Sequence, residues 1–330
     1  MVRSIRIHTF GGPEALEIED IPNPEPGPGE VRLRIRAIGL NRTEATFRSG
    51  RIPLRPALPT QLGFEAAGEI EKLGPGVIGF AVGDRVSVIP SFAITEYGLY
   101  GEVSLAPARA LAKVADDLSW EDAAAIWSAF GTAWCGLIDI AQIAQEQVVL
   151  ISAASSSVGL AAIQTARAVG AVPVALTRTA AKADSLRGAG AAHIIITQEQ
   201  NITSEVMKLT AGKGADVIFD AVAGPAFEQL AMAATSGAIA VVYGAMSPEI
   251  TPLPILALLT RQLTIRGFAI NAVTKDDAKL KSLAHFIEMR IASGVLKPTI
   301  AKTFTFSEIV AAHRFLESGK QVGKVVVTVP

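Results

Sequence analysis

Residues 147–178, QVVLISAASSSVGLAAIQTARAVGAVPVALTR, constrain the fold of this chain more than any other stretch. Val148 to Ser152 is a continuous apolar run rather than an alternating one, the pattern of a strand buried on both faces of a parallel sheet. A turn follows at Ala153 to Ser157. Leu160, Ile163, Gln164, Ala168 and Val169 then recur with helical spacing, Gly170 stops the helix, and Val172 to Leu176 supplies a second strand. Such a turn can cradle a phosphate when glycines let the backbone approach the anion, whose charge is met by free amides at the helix start. The fingerprint positions here hold Ala153, Ser156 and Gly159. Alanine and serine keep the small volume but lose easy access to positive φ. The turn alone therefore leaves two readings open, a dinucleotide site or a plain strand-to-helix connection.

The end of the second strand weighs on that choice. A unit built for NAD places an acid there to accept hydrogen bonds from the adenosine ribose. This chain has Thr177, Arg178 and Thr179, followed by Lys182. An acid would repel a 2'-phosphate, whereas a hydroxyl, a guanidinium and an ammonium would hold one. NADPH is accordingly the expected cofactor; the competing reading makes Arg178 and Lys182 solvated charges at a strand end.

Composition narrows the partners. Half of the 330 residues are hydrophobic, 18% are charged and the net charge is −1, so nothing favours a nucleic-acid partner. A single cysteine, Cys135, excludes an internal disulfide and a thiol cluster for zinc. His8, His193, His285 and His313 lack ligand spacing and read as structural or exposed. MVRSIRIHTF has no apolar core of signal-peptide length, and the uncharged stretch Gln229 to Pro248 is broken by Ser236 and Gly237. The expectation is a soluble, cytoplasmic protein with no membrane partner.

Along the chain, residues 1 to about 118 are rich in glycine, proline and short β-type runs, which argues a mostly antiparallel, barrel-like domain. From 120 onward, VVLIS, VPVAL, HIIIT, ADVIFDAV, AIAVVYG and LTIRG alternate with helical segments, as in a parallel sheet. These segments, with GPEALEIEDIPNPEPGPGEVRLRIRAIGLNRTE, LGFEAAGEIEKLGPGVIGFAVGDRV and HRFLESGKQVGKVVVTV, resemble the medium-chain dehydrogenase/reductases. The likeness is to their zinc-free, zeta-crystallin-like quinone oxidoreductase group. It implies an α/β fold, a Rossmann doubly wound parallel sheet (120–267) plus a GroES-like mostly antiparallel β domain (1–119 and 268–330).

In zinc-dependent relatives a cysteine and a histidine occupy the positions of Asn41 and Phe64, and a third ligand falls near Ser128. Asparagine, phenylalanine and serine cannot replace thiolate or imidazole around tetrahedral zinc, so no metal is expected. Without a Lewis acid, hydride transfer needs an acceptor that delocalises its own charge, a quinone or an α,β-unsaturated carbonyl (enone). A proton from water or a hydroxyl completes the reduction.

The resemblance places Asn41 beside the reacting carbonyl as a hydrogen-bond donor. The alternative is that its amide holds the local loop. It also places Thr132 near the nicotinamide, gives the turn amides of Ser156, Ser157 and Val158 to the pyrophosphate, and puts Ala221, Val222, Tyr243 and Gly244 at ligand-facing strand ends. Phe268 would close over the cofactor and Lys324 would meet a phosphate. Packing or surface roles stay open for Thr132, Tyr243, Phe268 and Lys324. Thr46 and Ile52 stand where the group often carries tyrosines, and Thr197 stands near the adenine in place of an aromatic. The apolar edge strand 262–267 implies a homodimer, unless a loop of the same chain covers it. A second function class is a crystallin-like or RNA-binding protein that holds NADPH with little catalysis.

Overall fold

A computed structural model describes residues 1–52 and 56–330. The chain forms two compact units. One comprises Met1–Ser128, Thr274–Leu280 and Pro298–Pro330; the other comprises Ala129–Val273 and Lys281–Lys297.

The second unit carries six strands, β1 (Val148–Ile151), β2 (Val172–Thr177), β3 (His193–Ile196), β4 (Ala215–Asp220), β5 (Ala234–Val242) and β6 (Thr264–Gly267). They pair in the order β3-β2-β1-β4-β5-β6, every pairing parallel. This is the doubly wound arrangement, whose direction of winding reverses between β1 and β4. The continuous apolar runs read from the sequence are the strands, and Leu150, Val174, Leu176, Ile195 and Ile218 lie in one buried core. Between β1 and β2 the helix Ser157–Ala168 starts at an N-cap, Ser156, whose hydroxyl accepts from the Gly159 amide.

The first unit is built on a seven-stranded sheet. Glu30–Leu40 is its longest strand and pairs antiparallel with Ala66–Leu73, Val103–Pro107 and Lys324–Thr328. Ile300–Thr305 adds to Lys324–Thr328 in parallel. Ile5, Leu33, Ile35, Ile38, Val86, Tyr100 and Val327 share its core. The register Val325↔Leu40 and Val327↔Ile38 matters for the site, because it carries Lys324 to the end of Glu30–Leu40, where Asn41 begins a helix.

Three segments group differently from the division at 119/120 and 267/268, the shortest being 268–273, which continues the second unit. Residues 120–128 belong to the first unit, where Ala123, Ala124 and Ala125 are buried with Ala37, Ala67 and Val326. Residues 281–297 belong to the second, where the Gln164 side chain donates to the Lys297 carbonyl at 3.0 Å and accepts from its amide at 2.8 Å. The helical stretch Trp120–Ile140 is long and apolar enough to cross a membrane, but 89% of that window is buried within the fold, as a core helix would be.

Candidate functional site

In the second unit the expected cofactor residues collect at the carboxyl ends of the strands, the edge where open α/β sheets bind ligands. Ala153 adopts φ +45°, so the turn keeps the left-handed conformation of a glycine fingerprint without the glycine. Gly159 is required for close approach, since a Cβ there would lie 2.5 Å from the Ala153 carbonyl oxygen. Ser156 is engaged as the cap, and Leu160 returns to the Ser156 carbonyl. Ser157 and Val158 supply the first amides of the helix, the end that an anion would meet.

The Lys182 ammonium donates to Ser155 Oγ at 3.2 Å, tying the end of β2 to this turn. Its pKa is lowered, first by burial and then by the charge of Arg178. Two cations thus face one region with no acid in Thr177–Lys182. Arg178 is exposed, and the buried Thr177 hydroxyl donates to the Thr179 carbonyl at 3.3 Å.

A second cluster joins β1 to β4. Asp220 is fully buried, and Ser152 donates its hydroxyl to Asp220 Oδ1. Ser152 Oγ accepts from the Ala221 amide at 2.9 Å, while the Asp220 carboxylate accepts from Val222 at 3.0 Å and Ala223 at 2.8 Å. Ala221 and Val222 are therefore held rigidly where the sequence placed them. Tyr243 stacks on Phe219 with ring centroids 4.2 Å apart, and its buried hydroxyl lies beside Ser156 at the start of the turn helix. Burial, then the charge of Asp220, pushes this phenol far above its ordinary range. Gly244 permits close passage, since a Cβ there would stand 2.7 Å from the Ala221 carbonyl oxygen. Phe268 follows β6, its amide bonded to the Val242 carbonyl, and Thr132 is buried on the helix Trp127–Ala133.

In the first unit two buried carboxylates hold all three positions at which zinc-dependent relatives place ligands. Glu44 accepts from the Asn41 amide at 2.7 Å and the Phe64 amide at 3.3 Å. Glu65 accepts from the Ser128 amide at 2.7 Å and from Asn41 Nδ2 at 3.2 Å, and it pairs with Lys324. Lys324 Nζ also donates to Asn41 Oδ1 at 2.7 Å. Lysine has only donors, so the amide oxygen of Asn41 must face it, leaving Nδ2 for Gly39 O at 2.9 Å and Glu65. Both Nδ2 hydrogens thus have acceptors, and the loop-holding role of Asn41 is realised. A substrate oxygen would have to displace one of them. Lys324 is 1% exposed and turned onto Glu65 and Asn41, which removes it from the phosphate contact expected of it.

Several of these groups were not singled out in the sequence. Glu44 had a local signal, since an asparagine followed three residues later by glutamate at a helix start is a capping pattern. Asp220 had another, a carboxylate closing the apolar run VIF. Tyr100 and His313 had none, because they meet Glu44 and Arg48 only through tertiary contacts.

Two family models match, "Zinc-binding dehydrogenase" over residues 157–288 and "Alcohol dehydrogenase GroES-like domain" over 27–116. A quinone oxidoreductase of Pseudomonas aeruginosa is 32% identical over 328 residues, covering 99% of both chains. This chain belongs to the medium-chain dehydrogenase/reductase family, in its quinone oxidoreductase group. Among solved structures, an NAD-dependent alcohol dehydrogenase superposes with a TM-score of 0.92 at 32% identity, covering 99% of this chain and all of the other. Escherichia coli quinone oxidoreductase complexed with NADPH gives 0.90 at 28% identity, with 99% of each chain covered. As a family member this chain is an oxidoreductase that uses a nicotinamide cofactor. The zinc of the family description does not fit its residues. Asn41, Phe64 and Ser128 supply no thiolate or imidazole, Glu65 is neutralised by Lys324, and no group of three metal-ligating side chains occurs among the described residues.

Proposed function

We propose that the chain is an NADPH-dependent reductase that delivers hydride to a conjugated acceptor, a quinone or an α,β-unsaturated carbonyl. The observation that carries the cofactor choice is Arg178 and Lys182 brought together beside Ser155. Two like charges held near each other are relieved by a dianion, and a 2'-phosphate supplies one. The relatives differ in the nicotinamide named for them, so the residues of this chain decide.

NADPH, when bound, supplies the hydride. The chain holds it through the amides of Ser157 and Val158 at the pyrophosphate and through Arg178, Lys182 and Thr177 at the adenosine end. Ser152 and Asp220 fix the main chain of Ala221 and Val222 for the nicotinamide half, with Thr132, Tyr243, Gly244 and Phe268 as the surrounding surface. Hydride added to a quinone or to the β-carbon of an enone leaves a delocalised anion, and a proton from water completes the reduction. Asn41 Nδ2 serves the acceptor oxygen by exchanging its longer bond, the one to Glu65, which keeps Lys324 and the Ser128 amide as partners.

A homodimer through β6 accompanies this reading. All four residues of β6 are exposed, and in the segment leading to it Ile250 and Leu259 are 90% and 73% exposed. An apolar patch beside an open strand edge calls for a second copy.

The test follows NADPH oxidation with 1,4-benzoquinone and a panel of enals and enones. Turnover with at least one is expected, and tight NADPH binding without any turnover would favour a non-catalytic binding protein. Arg178→Ala with Lys182→Ala should weaken NADPH roughly tenfold or more while sparing NADH, each lost charge-assisted bond being worth about 1.5–3 kcal/mol. Unchanged NADPH affinity would remove the 2'-phosphate from this position.

A further inference from the structure

The Glu44 carboxylate is the end of a buried line of hydrogen bonds whose direction can be deduced. Arg48 carries only donors, so its contact of 2.7 Å to His313 Nδ1 makes that nitrogen the acceptor. The neutral ring then carries its hydrogen on Nε2, which donates to the Tyr100 hydroxyl at 3.1 Å. Tyr100 in turn donates to Glu44 Oε2 at 2.7 Å. Arg48, Tyr100, His313 and Glu44 are all fully buried. The line begins at Glu317, which accepts from Arg48 at 2.7 Å, and ends at the amides of Asn41 and Phe64.

A hydrogen-bonded line of this length is more than the packing of the first unit needs, because an apolar core of the same volume would be at least as stable. Its far end meets two adjoining wall positions, Asn41 and Phe64. We infer that Glu44 is a positioning residue for the acceptor: its oxygens fix the main chain of Asn41 and Phe64, and Arg48 holds it through His313 and Tyr100. The inference rests on the reductase reading, which places Asn41 at the acceptor; Phe64 stands at the neighbouring former zinc-ligand position and shares the Glu44 carboxylate with it. Glu44 touches no substrate. It sets where Asn41 presents its amide and where the Phe64 ring stands.

Burial raises the Glu44 carboxyl to about 7, against the pull of Tyr100, the Asn41 amide and Lys324. The groups facing it are Tyr100, Lys324 and Glu65, while His313 and Arg48 stand one and two steps behind. A carboxyl of this kind keeps its place only while its donors stay aligned.

The test uses Tyr100→Phe, which removes one hydroxyl and keeps the ring, and Glu44→Gln, which keeps the length and one acceptor oxygen. Full-length variants would be compared in steady-state kinetics with NADPH and 1,4-benzoquinone, in NADPH affinity, and in amide hydrogen exchange. The expected result is a roughly tenfold rise in acceptor KM for Tyr100→Phe, the size of one misaligned buried bond, with kcat changed far less and NADPH affinity unchanged. Glu44→Gln, which turns one acceptor oxygen into a donor facing a main-chain N–H, should raise the acceptor KM at least as much. The Asn41 and Phe64 amides should lose protection ahead of the rest of their unit. Unchanged acceptor KM in a folded Tyr100→Phe protein would overturn the inference, as would a uniform loss of protection across the unit. A parent protein inactive with every acceptor would overturn the reductase reading and the acceptor role of Glu44 with it. Amide exchange would still decide whether Glu44 fixes those two main-chain groups.

Discussion

In the unfolded chain Glu44 titrates near 4.5 and His313 near 6.5; in the fold, burial raises the first to about 7 and lowers the second to about 3. The two groups act on stability in opposite senses. The contribution of Glu44 is fully present below pH 4.5 and is lost as pH rises through 7. That of His313 is present above pH 6.5 and is lost as pH falls through 3. Between 4.5 and 6.5 the folded state holds a proton on Glu44 and none on His313, while the unfolded state does the reverse, so the slopes cancel. Glu44→Gln should therefore gain stability with rising pH across that window, and His313→Gln should lose it, each by about 1.4 kcal/mol per pH unit. Thermal melts from pH 4.5 to 6.5 would check this, and parallel profiles for both variants would contradict it. A simpler case is Ala153, held at φ +45°. Ala153→Gly should raise stability by about 1 kcal/mol, the usual cost of the left-handed region for a side chain, as read by denaturant midpoint.

At the scale of elements, the turn after β4 depends on one carboxylate. Asp220→Ala would leave the Val222 and Ala223 amides without their acceptor and free the Ser152 hydroxyl. A loss of about 3 kcal/mol is expected, from roughly 1–3 kcal/mol for each buried donor left bare, with weaker cofactor binding; wild-type stability would refute it. The strands of the second unit could be read from the sequence because each is a continuous apolar run bounded by turn residues, as VVLI, VPVALT and ADVIFD are. The strand-to-helix turn could be read too, down to the packing glycine at 159. What could not be read is which elements a connecting helix joins. Leu283 and Ile287 look like any apolar face, and it takes tertiary contacts such as the Gln164–Lys297 bonds and the approach of Leu283 to Gly131 to assign their segment to the second unit. For Lys324 the packing role left open in the sequence is the one the fold realises, rather than the phosphate contact. A lysine after glycine near a strand start reads as surface, and the Val325↔Leu40 register that buries it is a long-range property.

For the whole molecule, the exposed edge β6 and the apolar side chains near it set the expected assembly. Leu256→Glu with Leu259→Glu would place charges on that patch, where both side chains are exposed. Sedimentation should then change from dimer to monomer, whereas a parent that already sediments as a monomer would exclude the dimer. The pair Glu65 and Lys324 has a consequence of another kind, in the timing of synthesis. The two side chains stand 259 residues apart in the chain, yet each is buried only because the other is present. A nascent chain has made Glu65, Asn41 and the whole of β1 to β6 long before Lys324 is added. Throughout that interval Glu65 must stay hydrated, because a lone buried charge is too unfavourable to close over. The parallel sheet β1 to β6 can therefore form before the Glu65–Lys324 pair does, and the strand that carries Lys324 joins Glu30–Leu40 after it.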